Sequence, residues 1–284
     1  MKVGLLYFSG TGNTKIITDL LRNEFRLKKW DVEILKIENI LRRLVSFQVK
    51  KYDILGLCYP IHAFNAPKIV FDFIKRLPLS SGKNIFIIRN SGDPLLNGGA
   101  TSMVRKRLRR RGYNVIYEQL FIMPSNVFMK YDDELIKQLY NIAKKKSKIV
   151  VDEIISGKIR LQNNSLPLRA VTYFFSKMES QGASYFGKSL RILRTCNLCN
   201  ICVDNCPVKN ISIKKERIQF GDSCFFCMRC IYICPKRALT SRFFGMFILK
   251  EFYDFKGIIN NPKIKGNYLT ENTKGYFKRF NSIK

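Results

Sequence analysis

The chain has 284 residues, 46% of them hydrophobic, with 51 Lys and Arg against 21 Asp and Glu for a formal charge of +30. Such a length accommodates a full hydrophobic core and a second, smaller domain. The longest apolar runs, such as residues 243–249, are too short to span a bilayer and no cleavable leader precedes the first strand, so a soluble, cytoplasmic protein is expected, drawn by its charge to an acidic partner, an anionic membrane surface or nucleic acid.

Residues 2–8 form an apolar, β-rich run that ends in Ser9-Gly10-Thr11-Gly12-Asn13-Thr14, after which Ile16, Ile17, Leu20 and Leu21 recur at helical spacing. A loop of small and hydroxylic residues at a helix N-terminus presents N–H groups and hydroxyls to a phosphate, and the helix dipole favours the negative charge. The loop lacks the lysine of a P-loop, and Lys15 stands where a dinucleotide fingerprint needs its third glycine. The alternative is a strand-to-helix turn whose glycines serve geometry alone. Residues 31–37 alternate as a second strand, residues 52–59 are nearly continuous apolar, and residues 85–89 and 115–122 supply two more strands. Helical segments near residues 13–28, 67–76, 99–111 and 132–156 fall between them. This strict β-α alternation predicts an α/β, doubly wound parallel sheet.

Over residues 1–158 the chain resembles the flavodoxins, because Ser9, Thr11, Asn13 and Thr14 match that family's FMN-phosphate loop. The resemblance implies a five-stranded sheet of order 2-1-3-4-5, with FMN held by Ser9, Gly10, Thr11, Gly12, Asn13 and Thr14 at the carboxyl ends of strands one and three. Two further loops would line its ring: Tyr59, Pro60, Ile61, His62, Ala63 and Phe64 after the third strand, and Asn90, Ser91, Gly92 and Asp93 after the fourth. Tyr59, His62 and Phe64 are candidates to stack on the ring, with surface or core packing as the alternative, and residues 90–93 offer polar contacts to its edge. His62, the one histidine, also reads as a plain polar loop residue. Trp30 precedes the second strand, so a tryptophan sandwich is not expected. Cys58 has no motif partner and reads as a core residue.

Arg105, Lys106, Arg107, Arg109, Arg110 and Arg111 surround Val104 and Leu108 on one helix, and Lys144, Lys145, Lys146 and Lys148 form a second basic run. Both read as solvated faces or, with the basic C-terminus, as a positive docking surface. Neither carries the interleaved aromatics of a nucleic-acid platform, so nucleic acid is not the expected partner. Residues 159–192 change composition to a polar and then aromatic connector.

Eight of the nine cysteines follow, in two copies of C-x2-C-x2-C-x3-C-P: Cys196, Cys199, Cys202 and Cys206 before Pro207, and Cys224, Cys227, Cys230 and Cys234 before Pro235. Thiolates at this spacing suit iron–sulfur clusters. A disulfide framework would need an oxidising compartment, and a zinc ribbon uses only two C-x2-C pairs. Residues 193–241 resemble the bacterial two-cluster ferredoxins. That resemblance implies a small α+β domain with two [4Fe-4S] clusters and, because the fourth cysteine of each run serves the other cluster, crossed ligand sets: Cys196, Cys199, Cys202 with Cys234, and Cys224, Cys227, Cys230 with Cys206. Residues 211–214 and 217–220 read as a hairpin. So small a module depends on its clusters to fold.

Residues 242–284 are a basic, aromatic extension expected to wrap the core, with peripheral membrane contact as the alternative. The whole reads as a flavodoxin fused to a two-cluster ferredoxin, in which FMN exchanges electrons with two [4Fe-4S] clusters and with a redox partner, acidic by charge complementarity. The rival readings are an FMN-dependent reductase of a quinone or other small molecule, fed by the clusters, and a redox-sensing module recruited to an anionic surface. No feature of the sequence sets the oligomeric state.

Overall fold

Apolar residues in unbroken runs require cover on both faces of a sheet, and β1 (Lys2–Tyr7), β3 (Ile54–Pro60) and the middle of β4 (Lys83–Ser91) receive it. In this computed structural model, which describes residues 1–62, 64–95, 101–162, 174 and 182–283, these strands join β2 (Asp31–Lys36) and β5 (Tyr113–Ile122) in one parallel sheet of order β2-β1-β3-β4-β5. This is the flavodoxin-like order. Strand alternation sends Leu6, Phe8, Leu57, Tyr59, Ile85 and Ile87 into one core, beneath α3 (Lys68–Arg76) and α4 (Ser102–Arg110). It sends Val3, Leu5, Tyr7, Cys58, Phe86 and Ile88 into the other, against α1 (Asn13–Leu27) and α5 (Asp133–Ile155). Cys58 is thus a fully buried core residue, as expected. A short α2 (Ile37–Leu41) follows β2, too brief to show a period in the sequence.

An isolated bridge adds Arg160, just past residue 158, to the edge strand of the sheet. Arg160 bridges β5, its N–H donating to the Ile116 carbonyl at 3.0 Å and its carbonyl accepting from the Glu118 N–H at 2.8 Å. The buried Glu118 carboxylate is compensated by Arg105 at 3.3 Å and by the Gln162 N–H at 3.0 Å. Much of the α4 basic run is therefore structural: Arg105 serves Glu118, Arg107 stacks on Phe71 at 4.2 Å, and Arg111 donates to the Leu77 carbonyl. The C-terminal end of α4 also lies where β4 and β5 begin, since the Ser80 N–H donates to the Arg111 carbonyl. The expected docking surface there faces away from the carboxyl ends of the strands.

The second unit comprises α6 (182–189), β6 (Leu190–Ile192), α7 (Ile201–Asp204), the hairpin β7 (Ile211–Lys214) and β8 (Arg217–Phe220), α8 (Arg229–Ile233) and β9 (Leu239–Ser241). Antiparallel β6 and β9 close it on either side of the cysteine runs. The C-terminal segment packs on the first unit. With α9 (Phe255–Asn260), it places Ile258, Leu269 and the fully buried Phe280 on Tyr131, Leu135, Ile136 and Leu139, and the Glu134 carboxylate accepts from the N–H groups of Lys265 and Asn267 at 3.0 and 3.2 Å. Among the described residues, no helix is long and apolar enough to cross a membrane.

Candidate cofactor sites

Parallel strands leave a crevice beyond their carboxyl ends. Here it is a cavity of about 500 Å³, within the range of small-molecule sites. Ser9, Gly10, Thr11, Asn13 and Thr14 wall one side, Pro60, Ile61, His62 and Phe64 another, and Asn90, Ser91 and Gly92 a third. Hydrogen bonds tie these loops together: Thr14 Oγ1 donates to Asn90 Oδ1 at 2.5 Å, Asn13 Nδ2 to the Pro124 carbonyl at 2.7 Å, and the Gly12 N–H to Ser9 Oγ at 3.1 Å.

Four expected residues stand otherwise. Tyr59 is fully buried in the α3–α4 core, because its neighbour Cys58 takes the other face of β3. It is a core side chain and does not stack in the crevice. Asp93 is turned to the C-terminal segment, where it accepts from the Tyr276 hydroxyl at 2.8 Å and pairs with Arg279. Gly12, at φ +114°, precedes α1 and lines a smaller pocket together with Ser9, Gly10 and Thr11 of the same loop. Ala63 lies outside the described residues.

The cavity also has walls outside the three loops expected to hold the flavin, part of them from the second cysteine run. The loop after β5 brings Pro124, Ser125, Asn126, Val127 and Phe128, with Asn126 Nδ2 donating to Thr11 Oγ1 at 2.7 Å. From beyond residue 181 come Ala183, Phe186, Phe226, Cys227, Met228, Phe244 and Phe247. Among the described residues six phenylalanines face the space, several touching: Phe186 and Phe226 at 4.3 Å between centroids, Phe128 and Phe247 at 4.7 Å, Phe226 and Phe247 at 5.4 Å. They supply the aromatic wall for which the sequence offered Tyr59, His62 and Phe64, of which His62 and Phe64 do line the cavity.

His62 exchanges backbone hydrogen bonds with Asn65 at 2.8 Å in each direction. Burial pushes its imidazole down to about 4 from the usual 6.5, against a smaller opposing effect of the Phe225 backbone. The ring is neutral at pH 7 and adds no cation to the cavity. Because the folded pKa is depressed, the unfolded chain takes up a proton first, so stability is expected to fall as pH drops from about 6.5 toward 4. Denaturant unfolding should show a steeper slope in the parent than in His62→Gln between about pH 6.5 and 5, above the range where the depressed carboxyls of Glu134 and Glu153 add their own loss.

The cysteines ring two small voids. Cys196, Cys199, Cys202 and Cys234 line one, and Cys206, Cys224, Cys227 and Cys230 line the other, so each run lends its fourth thiol to the opposite set. The 28-residue repeat extends to the backbone. Positive φ recurs at Leu198 and Phe226 (54° and 58°), at Asn200 and Met228 (63° and 59°), and at Lys209 and Arg237 (52° and 47°). Such left-handed residues turn successive N–H groups inward, a concavity that suits anions and iron–sulfur clusters. Correspondingly, the Asn210 N–H donates to Cys206 Sγ at 3.2 Å and the Ala238 N–H to Cys234 Sγ at 3.3 Å. Burial pushes the Cys227 thiol up to about 12 and raises Cys202, Cys224 and Cys230. A bound metal reverses this, since a coordinating thiol is deprotonated outright.

The two units meet at the hydroxyl-rich loop. A Cβ on Gly10 would lie 2.2 Å from the Cys227 carbonyl oxygen, so only glycine permits this approach. Arg229 donates to the Ser9 carbonyl at 2.6 Å, to Glu38 Oε1 at 2.8 Å and to the Asn205 carbonyl at 3.1 Å, with its guanidinium 5.3 Å from the Phe8 ring centroid. Phe8 meets Phe225 at 5.4 Å, and Arg42 donates to the Cys206 carbonyl. Gly10→Ala must therefore part the units, at a cost of about 1–3 kcal/mol. Gly12→Ala meets open space and adds only backbone strain of about 1–2 kcal/mol. Thermal denaturation of the two variants, with ligand binding at the cavity, separates the effects: only Gly10→Ala should disturb the cysteine voids.

A family model described as a 4Fe-4S dicluster domain matches residues 195–238. The chain is 36% identical over 44 residues to a ferredoxin of Methanothermococcus thermolithotrophicus, an alignment covering 15% of this chain and 73% of that protein. Solved structures similar to it include a flavodoxin from the domain Archaea, with 17% identity, TM-score 0.38, and coverage of 55% of this chain and 99% of that one. Another is the NAD(P)H:quinone oxidoreductase of Methanothermobacter marburgensis, with 12% identity, TM-score 0.40, and coverage of 58% and 99%. Likenesses that distant carry no functional weight, and the fold of the first unit rests on its strand order. Through residues 195–238 the chain belongs to the 4Fe-4S dicluster ferredoxins, fused behind a domain of flavodoxin-like fold.

Proposed function

We propose that the chain is an electron-transfer protein in which FMN occupies the cavity and two [4Fe-4S] clusters occupy the crossed cysteine sets. One observation carries the reading: Phe186, Cys227 and Met228 line both the cavity and the void of Cys206, Cys224, Cys227 and Cys230. A cofactor in the first space and a cluster in the second are separated by a single layer of side chains. We call this the inner set and the other the outer set.

The residues fit the groups. The Ser9 and Thr11 hydroxyls, which accept from the Gly12 N–H and the Asn126 amide and keep their own hydrogens, and the loop N–H groups at the start of α1 suit a phosphate dianion, while Thr14 ties the loop to Asn90; the absent dinucleotide fingerprint favours FMN over FAD. His62 and Phe64 border the aromatic space, and Asn90, Ser91 and Gly92 offer polar atoms at its edge. The two concave thiol sets, with their inward N–H groups, suit two clusters. When bound, a flavin would take up two electrons together or one at a time and each cluster one, so the assembly would divide two-electron events into single steps. Ser9 and Thr11 would hold the phosphate, Thr14 orients the loop through Asn90, the phenylalanines exclude water, and Arg229 fixes the loop against the inner set.

The test is cofactor content. Anaerobically purified protein should hold one FMN, identified by mass spectrometry after release, and about eight iron and eight sulfide atoms. FAD in place of FMN, or zinc in place of iron, would overturn the assignment.

A further inference from the structure

Electrons delivered to the inner set still need a way out. Cys206 there is 7% exposed, and Phe186, Leu190, Phe220 and Phe225 close the void. The outer set differs: Cys199 is exposed, and beside it stand two exposed leucines, Leu193 (44%) and Leu198 (39%). Exposed cations border this apolar spot. Arg194 lies two residues before Cys196, Lys236 lines the void itself, and Arg217 adjoins Ile218, another lining residue. From residue 191 to 241 nine Lys and Arg oppose Asp204, Glu216 and Asp222, the last paired with Lys188 at 3.0 Å.

We propose that this face, with an apolar centre and a cationic rim over the outer set, docks a small acidic one-electron carrier protein. The proposal rests on the electron-transfer reading above and names the partner for its exit. An apolar core with a charged rim is the anatomy of a protein interface, and redox encounters are small and electrostatically steered. In the step itself one electron moves: the outer cluster is oxidised, the carrier's metal centre is reduced, and no bond is made or broken. The α4 run is a poorer counterpart, because Arg105, Arg107 and Arg111 are engaged within the first unit and its Arg111 end lies where β4 and β5 begin.

The experiment uses the full, cofactor-loaded chain, reduced anaerobically and mixed in a stopped-flow cell with an acidic plant-type [2Fe-2S] ferredoxin as the probe. Arg194→Glu with Lys236→Glu should cut the second-order rate at low salt by about tenfold or more, with the difference vanishing as ionic strength rises. Arg109→Glu with Arg110→Glu, on the exposed part of α4, should leave the rate nearly unchanged. Iron content verifies each variant, and if Lys236→Glu loses iron, Arg191→Glu with Arg194→Glu replaces it. Equal losses in both pairs, no loss in the first, or a first pair that instead loses only binding to phosphatidylserine vesicles would overturn the docking site. Flavin-to-cluster exchange measured in the same samples keeps the two ideas apart: if it fails in the parent, the electron-transfer reading falls first.

Discussion

Cys206→Ala is expected to abolish the cluster bounded by Cys224, Cys227 and Cys230 while leaving the one at Cys196, Cys199 and Cys202 intact, although Cys206 belongs to the latter run in sequence. The reason is geometric, since the Cys206 thiol lines the void of the second run and Cys234 completes the first. A cube deprived of one of four thiolates has no other thiol in this void to replace it, because the remaining lining is mostly apolar, with Phe186, Leu190, Ile211 and Phe220, and offers only the Asn210 amide and the Met228 thioether. Iron should fall from about eight to about four atoms per chain, and Cys234→Ala should give the complementary loss. Electron paramagnetic resonance of the reduced variants tells the remaining clusters apart. Loss of the Cys196 set in Cys206→Ala would contradict the crossed arrangement.

The second large effect is expected at the junction. Glu38 is 3% exposed and pairs with Arg229 at 2.8 Å, the guanidinium also holding the Ser9 and Asn205 carbonyls. Arg229→Met leaves the Glu38 carboxylate buried without its counter-charge and should cost about 3–5 kcal/mol, a large share of a typical domain's 5–15 kcal/mol. Glu38→Leu combined with Arg229→Met removes both charges and should recover much of that loss. Denaturant unfolding of the single and double variants measures it. If Arg229→Met costs no more than an exposed ion pair, under about 1 kcal/mol, the pair does not hold the units together.

The elements that repeat at short range were legible in the sequence. Alternating β and α segments gave the five strands and their helices, turn chemistry gave the hairpin at 211–220, and cysteine spacing gave a repeat that the backbone angles follow at Leu198 and Phe226 and again at Asn200 and Met228. What the sequence hid are meetings between residues far apart in the chain. Phe128, Phe186, Phe226, Phe244 and Phe247 converge on one cavity from four segments without a period to announce them. Tyr59 illustrates a finer limit: a buried strand with no alternation does not say which face each residue takes, and the cavity is lined by Pro60 instead. The basic run on α4 read as a surface, and Lys106, Arg107, Arg109 and Arg110 are exposed; what the sequence hid is that Arg105, Arg107 and Arg111 also meet Glu118, Phe71 and the Leu77 carbonyl, which come from other elements.

The most direct test follows the electron. A light pulse that reduces the flavin in anaerobic, cofactor-loaded protein should be followed by flavin reoxidation with matching bleaching of both clusters. In Cys206→Ala, which retains flavin and the outer cluster, that transfer should collapse, because the inner set is the one that shares Phe186, Cys227 and Met228 with the cavity. Outer-cluster bleaching in Cys206→Ala at the parent's rate would contradict the account.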